Sequence, residues 1–286
     1  MDIDSSNIHE EWLNTIDKNF YDPIKRHNIS TGASWWHILN DTFTSTLALT
    51  YVSRAPSSDE LLFNGFHHAT NSYNFGDRDL HNENSLNVEM DVSAEFEQSK
   101  VHLNSFYYHF KNYIYQSLIK SSSGEALRSP PPHDVIVYQA MQMDATLYGM
   151  GISYDQKIEY STHTYYVRAA LNTLRGKLKN GENIPRMMPT NANLSLTQEI
   201  DHLKNSINLK LVDKARHLGT FEPDTSSYMM FDCQSSYHDH YKMYNYSLWI
   251  KAENLTNSYA TNHLSYLKES APYAGRQFKF GAEVSF

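Results

Sequence analysis

From Gln277 to Phe286 (QFKFGAEVSF) every second residue is apolar: Phe278, Phe280, Ala282, Val284 and Phe286 alternate with Gln277, Lys279, Gly281, Glu283 and Ser285. A period of two places the two sets on opposite faces of an extended strand. The same pattern recurs upstream. Leu86, Val88, Met90, Val92, Ala94 and Phe96 alternate with Asn87, Glu89, Asp91, Ser93 and Glu95, and Tyr244, Tyr246, Leu248, Ile250 and Ala252 with Asn245, Ser247, Lys251 and Glu253, Trp249 being the exception. Reading the whole chain this way predicts eleven strands, near 30–39, 42–54, 84–96, 100–114, 136–155, 161–176, 188–200, 204–216, 227–240, 243–254 and 277–286.

The connections fall into two alternating classes. Short ones are expected near Asn40, Gln98, Gln156, Asp201 and Tyr241, and longer ones at 55–83, 115–135, 177–187, 217–226 and 255–276. Short turns at one end and long loops at the other describe an antiparallel up-and-down meander of the outer-membrane type. The expected fold is therefore all-β, a transmembrane up-and-down antiparallel barrel. Strands of about ten residues suit a tilted bilayer crossing. A soluble β-sandwich shows the same alternation; strand length, loop asymmetry and aromatic placement favour the barrel. Tyr and Phe gather in Phe106, Tyr107, Tyr108, Phe110, Tyr113 and Tyr115, and again in Tyr160, Tyr165 and Tyr166, as interfacial girdles would require.

Composition closes off other classes. No apolar run approaches the ~18 residues of a transmembrane helix, and 40% hydrophobic residues is too many for disorder. The net charge is -8, with scattered basic residues, which argues against nucleic acid as a partner. The single Cys233 excludes an internal disulfide and cysteine-based zinc sites. Signatures of serine hydrolases, P-loop enzymes and zincins are absent, and Glu89, Asp91 and Glu95 have no accompanying nucleophile pattern, so no enzyme is expected.

Eleven is an odd number, whereas bacterial single-chain barrels have even ones. An open sheet edge in hydrocarbon leaves backbone groups unpaired at several kcal/mol apiece, so the strands belong to a larger barrel. The first twenty residues show neither a basic nor an apolar signal-peptide region. The expectation is a C-terminal half: residues 1–26 end an extracellular loop of a missing N-terminal half, and residues 27–286 form the C-terminal part of the barrel.

Arg54 to Gly76 reads RAPSSDELLFNGFHHATNSYNFG, followed by Asp77, Leu80, Glu83, Ser85, Asn87 and Glu89. This resembles the R-A-P-x-x-x-E-L to N-G-x-H-x-A-T block of TonB-dependent outer-membrane receptors, and within them the zinc-uptake, ZnuD-like subgroup. QMDATLYG (Gln142 to Gly149), IPRMMP (Ile184 to Pro189), AENLT (Ala252 to Thr256) and NHLSYLKESAPYAGR (Asn262 to Arg276) keep the same order. The matching positions are Arg54, Pro56, Glu60, Gly65, Gly76, Glu83, Asn87, Asp144, Gly149, Pro185, Asn254, Asn262, Lys268, Pro272, Gly275, Arg276 and the terminal Phe286. Phe66 stands where the subgroup usually has Pro, and Gly151 and Ser153 where acidic residues are common. The resemblance implies a 22-stranded barrel around an N-terminal plug, in the cell outer membrane. Its partners would be outer-membrane lipid, the missing half with its plug, the TonB complex through that half, and the barrel-assembly machinery through the C-terminal strand.

By that resemblance the cargo is zinc, carried as a transported ligand with no tightly bound cofactor; haem or an iron siderophore is the alternative. The candidate ligands are His67, His68, Asp77, Asp79 and His81 in the loop 55–83 and His263 in the loop 255–276, because imidazole and carboxylate suit zinc. Met187 and Met188 lie at another loop end. Two other readings of these side chains stay open: solvated loop residues, or, for His67 and His263, loop-holding hydrogen bonds. His238 and His240 share one strand face at the turn end, where surface histidines are common. Two further readings of the chain are a soluble binding module and a remnant without activity.

Overall fold

The computed structural model describes residues 24–285, so the expectation for the first residues of the chain and that for Phe286 lie outside the described residues. Eleven strands form one antiparallel meander: β1 (Thr31–Ile38), β2 (Phe43–Arg54), β5 (Glu83–Glu95), β6 (Ser99–Leu118), β7 (Val137–Tyr160), β8 (His163–Leu178), β9 (Asn191–Ile200), β10 (Leu203–Val212), β11 (Tyr228–Tyr241), β12 (Tyr244–Glu253) and β13 (Gln277–Ser285), each bonded to the next in this order. A single sheet replaces the two stacked sheets of the sandwich alternative. The loop after β2 holds a short helix α1 (Ser58–Leu62) and a hairpin of β3 (Asn64–His67) and β4 (Ser72–Phe75), with β4 lying parallel to the start of β7. Sequence periodicity does not show these small elements, because a four-residue strand carries too few alternations and its parallel partner lies 64 residues on (Tyr73 with Val137).

Several boundaries depart from expectation, among them the end of β10, at Val212 rather than 216, and the start of β9, at Asn191 rather than 188. The turn expected at Gln156 falls at residues 161–162, because Ile158 and Tyr160 keep the period of two and Ser161 takes a positive φ of 56° that closes the hairpin. β6 and β7 overrun their expected ends, and the sheet absorbs a bulge between Phe110 and Tyr113, where Asn112 has φ 58°.

The alternation predicted from sequence is realised across the sheet. Register places Leu47, Met90, Ser105 and Met150 in one outward row, and Ile207, Cys233, Ala252 and Phe278 in another. This outer face is bare of protein: Leu49 is 50% exposed, Ile250 56% and Phe280 87%. In water such a surface costs about 25 cal/mol per Å²; in lipid it does not. On the other face lie Asn87, Glu89, Asp91, His102 and Asn104, with Asp91 accepting from Asn104 (3.0 Å), lying 3.2 Å from His102, and Glu89 accepting from the Tyr108 hydroxyl. That polar side is the lumen.

Phe106, Tyr108 and Phe110 are also lumenal, opposite Gly149, Leu147 and Ala145, as is Tyr166, opposite Lys157, so they are not part of a lipid-facing girdle. Phe106, Tyr108 and Phe110 form a ladder with Tyr113 and Tyr115, with successive ring centroids 4.9, 6.3, 5.0 and 6.3 Å apart. Gly149 explains the start of the ladder: a Cβ there would sit 2.7 Å from the Phe106 ring. Tyr107, Tyr160 and Tyr165 do face outward.

Buried apolar clusters occur where the long loops meet the strands: Phe75, Leu127 and Val137; Leu61, Leu80, Ile114 and Ala140; Ala145, Leu178 and Ile184. The sheet does not close. β1 enters the turn at residues 39–42 and β13 leaves the loop 254–276, so both free edges run toward the short-turn end. An antiparallel seam at each edge therefore needs strands running the opposite way, which only an odd number of additional strands supplies.

Candidate functional site

Three long loops, 179–190, 213–227 and 254–276, fold over the lumenal face at the long-loop end. Gly176 permits the approach of the first, since a Cβ there would lie 2.8 Å from Ile184 Cδ1, and Gly219 permits the second, being packed on Pro185. Glu222 joins all three. Its Oε2 accepts from the Gly219 N–H (2.9 Å); its Oε1 accepts from the Arg186 N–H (2.9 Å) and the Lys268 ammonium (2.8 Å), and lies 3.2 Å from His263 Nε2. His263 Nδ1 is 3.0 Å from Thr225 Oγ1 and 3.4 Å from Lys268 Nζ. This partner set fits a neutral ring whose Nε2–H donates to the carboxylate while Nδ1 accepts.

Glu222, His263 and Lys268 side chains are at most 5% exposed. Burial alone would raise the Glu222 pKa; the bonds from His263, Lys268 and Gly219 outweigh it and hold the carboxyl at about 2. Burial lowers the Lys268 pKa, and Glu222 only partly restores it. The cluster is thus built on one ion pair, Glu222 with Lys268, with the His263 ring beside it.

Next to this hub a cleft of about 80 Å³ opens toward the lumen, bounded by Tyr115, Gln116, Tyr138, Arg186, Tyr266 and Lys268 among others. The Arg186 guanidinium lies 3.9 Å from the Tyr266 ring centroid and 5.9 Å from that of Tyr138, and no carboxylate is ion-paired with it among the described residues. Gln116 Oε1 is buried without a hydrogen-bond partner. The cleft combines aromatic faces, the Arg186 guanidinium and amide groups with the carboxylates of Glu182, Glu222 and Glu269.

The motif residues prove to be loop anchors. Arg54 spans Glu60 (2.8 Å) and Glu83 (3.2 and 3.3 Å), Glu60 closes a capping box with Ser57 on α1, and Glu83 also accepts from the Ile114 N–H (2.7 Å). Burial opposes ionisation of Glu60, but Arg54 and Ser57 together lower its pKa. Gly76 is required because a Cβ would come within 2.6 Å of the Leu61 backbone. Asp144 accepts from the Asn112 N–H (3.2 Å) and Lys179 (3.0 Å), and Asn254, at φ 50°, bonds Asp232, Ser258 and Ala274. Asn257 Oδ1 holds the Arg276 N–H at 3.0 Å.

The candidate ligands are not gathered: no group of three or more His, Cys, Asp or Glu poised for a metal occurs among the described residues. His67 Nδ1 is bonded to Thr70 (2.9 Å), and His68 sits edge-on to Phe66, which stacks on His133 with centroids 4.2 Å apart. Asp77 accepts from the Asp79 N–H (2.8 Å), and His81 exchanges bonds with Gln142. His263 is in the buried hub, with both ring nitrogens near protein partners. Met187 packs on Gly176, and His238 bonds Ser236 (3.1 Å) at the turn end.

Residues 12–255 match the family model described as "TonB dependent receptor-like, beta-barrel". The chain belongs to the TonB-dependent receptor family. Members of this family are transport receptors of the outer membrane rather than enzymes. Among solved structures, the chain is similar to the copper transporter OprC (TM-score 0.69, 16% identity, covering 89% of this chain and 39% of that one). It is also similar to the ferric enterobactin receptor PfeA from Pseudomonas aeruginosa (TM-score 0.61, 18% identity, 90% and 40%) and the siderophore receptor PirA from Acinetobacter baumannii (0.60, 14%, 89% and 40%). These likenesses concern the fold, and the chain spans about two fifths of the length of each. Within the receptor fold, sequence reading had singled out His263 and Lys268 but not Glu222, Thr225, Arg186 or Tyr266. Glu222 lies 46 residues from Lys268, and no local pattern marks such a pair.

Proposed function

We propose that this chain is the C-terminal part of the barrel of an outer-membrane receptor that takes up a scarce metal nutrient, with zinc as the cargo indicated by its subgroup resemblance. The observation that carries the receptor reading is the buried Glu222, His263 and Lys268 hub, which ties three long loops into a fixed roof beside a lumenal cleft. A surface that captures a dilute solute gains from such preorganisation, because the loop entropy is lost on folding and not on binding. In this reading the plug, the contact with TonB and the partner strands at the open edges come from an N-terminal half, and the barrel-assembly machinery engages the C-terminal strand.

For zinc, His67, His68, Asp77, Asp79, His81 and His263 are the proposed ligands, and capture requires their loops to rearrange, since they are apart in the free protein. A second reading, uptake of a ferric siderophore, is favoured by the stacked Arg186 and the aromatic cleft. Cargo titration of the full-length receptor separates the two. Zinc uptake that falls on replacing His67 or His263 by Ala supports the first; unchanged zinc uptake in both variants removes it. Ferric-siderophore uptake lost on Arg186→Gln supports the second.

A further inference from the structure

The turn that joins β3 to β4 folds Thr70 back toward the end of β3. The Thr70 N–H donates to the His67 carbonyl (3.2 Å), the Asn71 N–H to that of His68 (3.4 Å), and Asn71 takes a φ of 47°. His67 and Ser72 are paired in register across this hairpin, and β4 is itself fastened to the start of β7. A row of polar side chains results: His67 Nδ1 lies 2.9 Å from Thr70 Oγ1, Thr70 Oγ1 2.7 Å from Ser72 Oγ, and Ser72 Oγ 2.8 Å from Asn74 Oδ1. Ser72 is 1% exposed, so these two neighbours, and not water, satisfy its hydroxyl.

Each hydroxyl carries one proton, and this fixes the direction of the row. Asn74 Oδ1 can only accept, so the Ser72 proton is committed to it. Ser72 Oγ then accepts from Thr70, whose own proton is spent there, and Thr70 Oγ1 has only lone pairs to offer His67. The longer contact from Thr70 to the His67 carbonyl, 3.4 Å, would spend the same proton and lead to the same end. His67 Nδ1 must therefore carry the ring proton. Its Nε2 keeps a bare lone pair with no hydrogen-bond partner among the described residues. A free neutral imidazole prefers the opposite tautomer, with the proton on Nε2.

We propose that Thr70 is a positioning residue: through Ser72 and Asn74 it holds His67 in the Nδ1–H form, which presents Nε2 to a divalent cation. Of the candidate histidines, His67 alone has one ring nitrogen engaged and the other open among the described residues. His263 has both engaged, whereas His68 and His81 have neither. A ring nitrogen binds metal only through an unprotonated lone pair, and a hydrogen bond at the other nitrogen fixes tautomer and ring direction and raises the basicity of the ligand. The Phe63 ring, its centroid 5.8 Å from that of His67, flanks the imidazole. The identity of the cation rests on the metal-uptake reading, whereas the tautomer is a property of the metal-free chain.

The test is heteronuclear NMR of the metal-free full chain in detergent, with isotopically labelled histidine nitrogens, at alkaline pH where imidazole is neutral. His67→Gln identifies the signals of the ring. The wild-type ring is expected in the Nδ1–H form; Thr70→Val moves the proton to Nε2, and Thr70→Ser, which keeps a hydroxyl, retains the wild-type signals. Zinc alone is then titrated against a chelating dye, and binding through His67 is taken as the difference from His67→Gln. Thr70→Val should weaken that binding about ten- to a hundredfold, and Thr70→Ser should leave it near the wild-type level. An Nε2–H ring in the wild type, an unmoved proton in Thr70→Val, a displaced one in Thr70→Ser, or equal zinc affinity of Thr70→Val and wild type would each overturn the proposal. An Nδ1–H ring in a wild-type chain that binds no zinc through His67 counts against the zinc reading instead, and the tautomer stands.

Discussion

Replacing Glu222 by Gln removes the negative charge of the loop hub while keeping its shape. In the native protein the carboxylate accepts from Gly219, Arg186, Lys268 and His263, and its pKa lies at about 2 against an ordinary 4.5. That difference corresponds to about 3 kcal/mol at neutral pH, and leaving Lys268 buried without its partner has a cost of the same order, ~3–5 kcal/mol. Because the folded pKa is depressed, this stability is fully present above about 4.5 and is lost as the pH falls toward about 2. Hydrogen exchange of the full chain in detergent reads it directly. At pH 7, amides of the loops 179–190, 213–227 and 254–276 in Glu222→Gln should exchange on the order of a hundredfold faster, with strands β11 and β12 unaffected. Adding Lys268→Met should recover part of the loss, because the second change removes the orphaned cation. Unaltered loop protection in the single variant would refute the role assigned to the hub, as would additive losses in the double variant.

Three further outcomes are expected. Ile250→Arg, on the outward face, should lower stability in lipid vesicles by ~2–4 kcal/mol, while Ser247→Arg, on the lumenal face of the same strand, should change it little; urea titration of the two variants compares them. Gly76→Ala forces a Cβ to within 2.6 Å of the Leu61 backbone, so the loop 55–82 should become protease-sensitive, at a cost of ~1–3 kcal/mol. Arg54→Lys loses the two-pronged contact with Glu83 and should loosen the same loop by only ~1 kcal/mol, since Arg54 is 42% exposed and solvent screens its charge; a drop as large as that of Gly76→Ala would show the ion pairs to be stronger than this.

The two alternating stripes, the eleven main strands and the order of short and long connections were legible in the amino-acid sequence, because each is a local property: side chains on a strand alternate with a period of two whatever the rest of the chain does. Face assignment failed in the sequence where composition misled it, at Phe106, Tyr108, Phe110, Tyr113, Tyr115 and Tyr166, whose aromatic character suggested lipid but whose register, with Gly149, Leu147, Ala145, Met143, Met141 and Lys157 respectively, sets them in the lumen. The family motif marked Arg54, Glu60, Glu83, Asp144 and Asn254 without revealing what they do, and the structure shows each fastening a loop. The hub and the cleft were decided by tertiary structure alone. Glu222 meets Lys268 and His263, and Arg186 meets Tyr266, across 40 or more residues, and contacts of that span depend on how loops fold back over a curved sheet, which no local periodicity encodes.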